Sequence, residues 1–147
     1  MLDRYRYLIL AEGHFGPQTS KTANSALRYF PERVVGVVDS RHGGRSVQQI
    51  LRFGGEIPVV GGIEEGLALG PTALLIGIAP RGGQLPEEWR PLLRRVMEEG
   101  LDIVSGLHFH LSDDPELSRL AAARGVRLLD LRKPPADLPV ATGLARG

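Results

Sequence analysis

Cysteine is absent from this chain, which excludes disulfides, thiolate metal sites and a cysteine nucleophile together. Lysine is nearly absent: of 18 basic residues only Lys21 and Lys133 are lysines, and the other 16 are arginines. GC-rich codon usage explains that bias, yet both remaining lysines fall in loops singled out below. No excess of either charge is present. A net charge of +1 gives no electrostatic reason to expect a nucleic acid or a membrane surface as partner. No apolar run approaches the roughly 20 residues of a membrane span. The opening MLDRYRYLIL is too short and charged for a signal peptide, so the cytoplasm is the expected compartment. Internal repeats and low-complexity tracts are missing too. So are three familiar motifs: the Walker A loop, the G-x-G-x-x-G fingerprint and the G-x-S-x-G elbow of serine hydrolases.

What is present is an ordinary soluble composition, 42% hydrophobic and 24% charged. A chain of 147 residues suits one domain that buries about two thirds of its unfolded surface. Short apolar, β-branched runs at 7–11, 34–38, 58–60, 72–78, 101–104 and 126–131 predict strands. Between them, helices are predicted from a Thr19 or Ser20 cap to about 29, over 46–53, 63–69 and 87–99, and from Asp114-Pro115 to about 124. The stretch 87–99 is expected to be the longest helix. The run at 72–78 is apolar after its first residue, which predicts a central strand. Alternating strands and helices imply an α/β fold, Rossmann-like, with a mostly parallel sheet and helices on both faces. Residues 1–131 form the expected domain, and the Pro-containing tail 132–147 reads as a linker.

Function is suggested by an asymmetry. Unusual residues crowd the strand-to-helix junctions, AEGHFGPQTSKT (11–22), DSRHGG (39–44), APRGG (79–83), SGLHFH (105–110) and LRKPP (131–135), while helix-to-strand junctions are plain. In a parallel sheet these junctions share the carboxyl edge, where ligands bind.

In the first loop Gly13, Gly16, Ser20, Lys21 and Thr22 precede a helix whose free N–H groups and dipole favour an anion. Ser20 replaces the second glycine of a Walker A loop, and Gly16 sits one residue too close to Lys21. A plain helix start with a surface lysine explains the same residues. Asp39, beside Ser40, ends the second strand where dinucleotide-binding folds place a ribose-binding acid; a turn-capping aspartate is the alternative. Arg81 offers a fork for carboxylate or phosphate, and Gly82 and Gly83 permit close backbone approach. Ser105, Gly106 and His108 head the fourth loop. His108 and His110 would face one side of an extended segment, but nothing completes a metal sphere, so no metal is expected. His108 is the better candidate for a ligand contact or proton transfer. Arg132 and Lys133 close the set.

The segments SKTAN, LRYFPERVVGVVDS, GEIPVV, LLIGIAPRGGQLPEEW, GLDIVSGLHFHLSDDPEL and VRLLDLRKPP together resemble the N-terminal, Rossmann-like domain of domain-of-unknown-function family 1611. The likeness runs in order from about Leu8 to Gly143. Lys21 and Thr22 match its KTA element, Asp39 and Ser40 its DS pair, and Gly82 and Gly83 its APxGG turn. Ser105, Gly106 and His108 match SGLH, and Arg132, Lys133 and Pro134 match RKP. Some members are described as D-amino-acid (D-glutamate) N-acetyltransferases. The usual member is longer, with a P-loop-type C-terminal domain opening on a GTDCxVGK segment. This chain ends at PVATGLARG, where that domain begins, and is expected to be an excised domain or a short natural form.

The resemblance implies the substrate- or cofactor-binding domain of a two-domain N-acetyltransferase-like enzyme, taking an anionic small molecule at the carboxyl edge. Acetyl-CoA or a nucleotide is the cofactor implied for the full-length family, and His108 the expected base. Two rivals stay open: an NAD(P)-dependent oxidoreductase-type nucleotide-binding domain, and a non-catalytic regulatory or homo-oligomerising module.

Overall fold

The structure, a computed structural model, describes residues 4–78, 85–107 and 110–131. Six strands form one sheet: β1 (Tyr7–Leu10), β2 (Val34–Val38), β3 (Val59–Val60), β4 (Ala73–Ile76), β5 (Asp102–Ser105) and β6 (Leu128–Asp130). Their spatial order is β3-β2-β1-β4-β5-β6, and every neighbouring pair is parallel. This is the doubly wound Rossmann order, and the direction of winding reverses between β1 and β4. All four residues of β1 and all four of β4 are buried, as strands covered on both faces require.

Consecutive strand residues point to opposite layers. A Cβ on Gly66 would stand 2.6 Å from Leu8 Cδ2, so α3 (Ile63–Leu67) lies against the Leu8 face. Ile9 faces the other way, toward Ala23 of α1 (Lys21–Tyr29). Two further helices continue the α3 layer. Arg95 of α4 (Arg90–Glu98) binds Glu64 of α3 at 2.7 and 3.0 Å, and Arg94 and Arg90 of α4 bind Glu116 of α5 (Pro115–Arg124). On the α1 side, the Arg28 guanidinium stacks 4.3 Å over Phe53, just past α2 (Val47–Leu51). The sheet therefore carries helices on both faces.

Several predicted elements shorten, each for a local reason. The expected helix over 87–99 splits into a 3-10 turn, Glu87–Trp89, followed by α4. Pro91 lacks the N–H that would bond the carbonyl of residue 87, so the α-helix begins only where proline stands in its first turn. Among the described residues the longest helix is consequently α5, ten residues against nine in α4. The last expected strand contracts to Leu128–Asp130, and β4 ends at Ile76 because Gly77 turns to bridge neighbouring elements. α2 stops early at Arg52, which takes the left-handed conformation at φ 70°. Among the described residues no helix is long and apolar enough to cross a membrane.

Candidate functional site at the carboxyl edge

The strands end in register. Val60 pairs with Val38, Val38 with Leu10, Leu10 with Ile76, Ile76 with Ser105 and Ser105 with Asp130. Their following loops thus start from one row about 4.8 Å apart per strand. At the winding reversal the edges of β1 and β4 are sealed by Gly77, whose N–H donates to Leu10 O at 2.8 Å while its carbonyl accepts from Ala23 N at 3.0 Å. A Cβ at Gly77 would lie 2.6 Å from Ile9 Cγ2 and 2.7 Å from Ala23 Cβ. Only glycine lets the start of α1 approach β4 this closely.

The ten residues between β1 and α1 form a built loop. Asp39, fully buried just past β2, holds it from below. Its Oδ1 accepts from Gly13 N at 3.1 Å and Arg41 N at 3.0 Å, and its Oδ2 accepts from Phe15 N at 3.0 Å. Phe15 itself is buried in the core, and Gly13 supplies the positive φ of 79° at the turn. Glu12 accepts from both the N–H and the hydroxyl of Ser40, stitching β1 to the β2 loop a second time. The Thr19 hydroxyl donates to the His14 carbonyl.

Ser20 occupies the N-cap of α1, as its sequence position predicts, but its hydroxyl does not cap the helix. It contacts Gly16 O and Asn24 Oδ1, both at 3.0 Å, and accepts from Gly16 N at 3.1 Å. Asn24 Nδ2 reinforces the bend by donating to Gly16 O at 2.8 Å. Ala23 N is taken by Gly77 and Asn24 N by Ser20 O, whereas the N–H groups of Lys21 and Thr22 have no partner among the described residues. Both side chains are exposed. Two unpaired donors at the positive end of a nine-residue helix, next to an exposed ammonium, suit an anion.

A parallel device holds the loop after β5. Asp130, at the end of β6, accepts from Leu111 N at 2.7 Å and Ser112 N at 3.0 Å. Buried Ser105 accepts from Leu107 N at 3.1 Å, and its carbonyl accepts from Leu131 N at 2.7 Å. His110 Nδ1 stands 3.5 Å from Asp113 Oδ2.

Of the sequence-derived candidates, Gly13, Gly16, Ser20, Lys21 and Thr22 share the β1–α1 loop and helix start, with Asp39 and Ser40 bonded to it or to its flank. Ser105 and Gly106 lie at the end of β5, two strands along the same row. Arg81, Gly82, Gly83, His108, Arg132 and Lys133 lie outside the described residues. Glu12, Phe15, Gly77 and Asp130 were not singled out by sequence, although Asp130 ends β6 as Asp39 immediately follows β2. An apolar groove of about 420 Å³ also crosses the α1 side of the sheet, over Tyr7, Phe30, Leu75, Val104 and Leu131. Among the described residues Glu32 and Arg33 are the only charged groups in its lining, and neither supplies the convergent donors of the edge loops.

Comparison with known proteins agrees with this architecture. The model of the domain of unknown function DUF1611_N, described as a Rossmann-like domain, matches residues 40–134. The chain belongs to this family. A DUF1611 family protein of Anabaena variabilis ATCC 29413, known from a crystal structure at 2.30 Å, superposes with a TM-score of 0.82 at 34% identity. The match covers 95% of this chain and 40% of that one. Two curated relatives are named D-glutamate N-acetyltransferase. The one from Tritonibacter scottomollicae is 44% identical over 84 residues, and the one from a Pseudoalteromonas species is 35% identical over 82. Those matches cover 57% and 56% of this chain but only 25% of each relative, so the DUF1611_N segment is one part of longer proteins.

Proposed function

We propose that this chain is the substrate- or cofactor-binding domain of an N-acyltransferase of the D-glutamate N-acetyltransferase kind, and that it holds an anionic small molecule at the start of α1. The observation that carries this reading is the pair of unpartnered N–H groups of Lys21 and Thr22 above a loop immobilised by Asp39. A loop held in place before the ligand arrives avoids an ordering cost on binding. The names of the relatives supply the reaction class, and their greater length fits a second domain, for which a P-loop type is our expectation.

An acceptor amino acid brings a carboxylate, and an acyl-CoA or nucleotide brings phosphates. Either group fits the donor set here, which contains N–H groups and an ammonium but no metal-binding cluster among the described residues. The chain's own tasks are then to anchor charge through Lys21, Thr22 and the loop amides, and to take a proton from the acceptor amine, the role we assign to His108. The nicotinamide alternative drew on Asp39 as a ribose ligand, and both oxygens of that carboxylate already accept backbone N–H groups.

Calorimetric titration with D-glutamate, coenzyme A and inorganic pyrophosphate tests the reading. For the anion that binds, Lys21→Ala weakens affinity by about tenfold to a hundredfold, the worth of one charge-assisted contact. Lys21→Arg restores only part of it, because the guanidinium fork is bulkier and differently hydrated. Equal affinity in wild type and Lys21→Ala would remove Lys21 from the site.

A further inference from the structure

We infer that the loop after β2 selects a nucleotide whose ribose carries a phosphomonoester, with Arg41 as the residue that reads that phosphate. The inference rests on the anion site proposed above and names the class of ligand it takes. In doubly wound folds the end of β2 decides how a ribose is read: a carboxylate there accepts from the free hydroxyls, whereas a nearby arginine accommodates a ribose phosphate.

Asp39 stands at that position but is turned inward. It is fully buried, with one oxygen bonded to Gly13 N and Arg41 N and the other to Phe15 N. Turning it toward a ribose would break three hydrogen bonds, two of them to the β1–α1 loop. The other acid at this lip, Glu12, is directed onto the N–H and hydroxyl of Ser40. Neither carboxylate is arranged to take a ribose diol.

Arg41 is arranged for a phosphate. Its side chain is 54% exposed and lies back over the β1–α1 loop, with Nη2 3.4 Å from Phe15 O and Nε 3.8 Å from Asp39 Oδ1. Both contacts are long: the one to Phe15 O is a weak hydrogen bond and the one to Asp39 a loose ion pair, and Asp39 Oδ1 is already shared between two backbone N–H groups. The fork is thus positioned beside the loop, with most of its donors unpaired among the described residues and a geometry that matches phosphate oxygens in pairs. Its own N–H is fixed by Asp39, so the backbone at this point is set by the same carboxylate that sets the loop. A nucleotide placing one phosphate at Lys21 and Thr22 would present its ribose toward this lip.

A phosphomonoester can sit on the 2′ or the 3′ oxygen, and the test separates the two. Adenosine 5′-monophosphate, adenosine 2′,5′-bisphosphate and adenosine 3′,5′-bisphosphate are titrated calorimetrically into wild type, Arg41→Ala and Arg41→Lys, each checked for folding by circular dichroism. At least one bisphosphate should bind about tenfold to a hundredfold more tightly than the monophosphate, as expected of a charge-assisted contact. In Arg41→Ala the gap should close to about twofold or less, and Arg41→Lys should recover part of it, since an ammonium keeps the charge but not the fork. Whichever bisphosphate shows the gap identifies the ribose position. Equal binding of all three nucleotides to wild type overturns this inference and leaves the anion site standing. A gap that persists in Arg41→Ala overturns the role of Arg41. Failure of all three nucleotides to bind overturns this inference, and failure of inorganic pyrophosphate, coenzyme A and D-glutamate as well overturns the anion site itself.

Discussion

Replacing Asp39 by alanine separates a carboxylate that builds the site from one that touches the ligand. The substitution removes the acceptor for Gly13, Phe15 and Arg41 N–H at 3.0–3.1 Å. Gly13 is partly exposed and Arg41 exposed, so water replaces the carboxylate at those two. Phe15 is buried, and its N–H is left without a partner. Hydrogen bonds to a charged group contribute about 1.5–3 kcal/mol each, and a buried unsatisfied donor costs roughly 1–3 kcal/mol. With two of three bonds largely replaced by water, the net loss is about 3–5 kcal/mol, a large part of the 5–15 kcal/mol that holds a typical domain together. The melting temperature should fall by roughly 10 °C for a chain of this size. Urea denaturation and calorimetry measure the loss, and anion titration of the variant at low temperature shows whether the loop still binds. A stability loss below about 1 kcal/mol, together with lost ligand affinity, would refute the reasoning and return Asp39 to the role of a direct ligand contact.

Two other substitutions probe the frame around the site. Gly77→Ala places a methyl group 2.6 Å from Ile9 Cγ2 and 3.2 Å from the Ala23 backbone, so α1 must shift; a destabilisation of about 1–3 kcal/mol in urea is expected, and an unchanged midpoint would contradict the close packing. The Asp114 carboxyl is held below its ordinary value of 3.8, first by its hydrogen bond from Arg90 and then by the N–H of Leu117. Because the folded value is the lower one, this stabilisation is complete above the unfolded value and is lost as pH falls through the folded one. Asp114→Ala should therefore cost roughly 1–2 kcal/mol near neutral pH, with the gap to wild type narrowing below about pH 3.8; a gap that stays constant down to pH 2 would contradict the assignment.

The parallel sheet was legible because β1, β2 and β4 are nearly continuous apolar runs, and that pattern marks strands buried on both faces. The carboxyl edge was legible because residue types crowd at one set of junctions. Orientation was not. Asp39 reads as a ribose acid or a turn cap from its position alone, and only the fold shows its oxygens turned toward Gly13 and Phe15. Ser20 reads as a helix cap, yet Gly16 folds back near enough to take its hydroxyl. Asp130 was missed because its partners, Leu111 and Ser112, lie 19 and 18 residues away and their approach depends on β5 and β6 ending together. Gly77 was missed for a similar reason: its constraint comes from Ile9 and Ala23, on two other elements.

The central claim is that the start of α1 receives the anion. Its most direct test is titration of inorganic pyrophosphate into the isotope-labelled chain, followed through the backbone amide signals. The account predicts saturable shifts at the Lys21 and Thr22 amides and at residues 13–16, with Arg127 at the opposite edge unmoved. Saturable shifts confined to the arginine-rich surface of α4, with Lys21 and Thr22 unaffected, would contradict it.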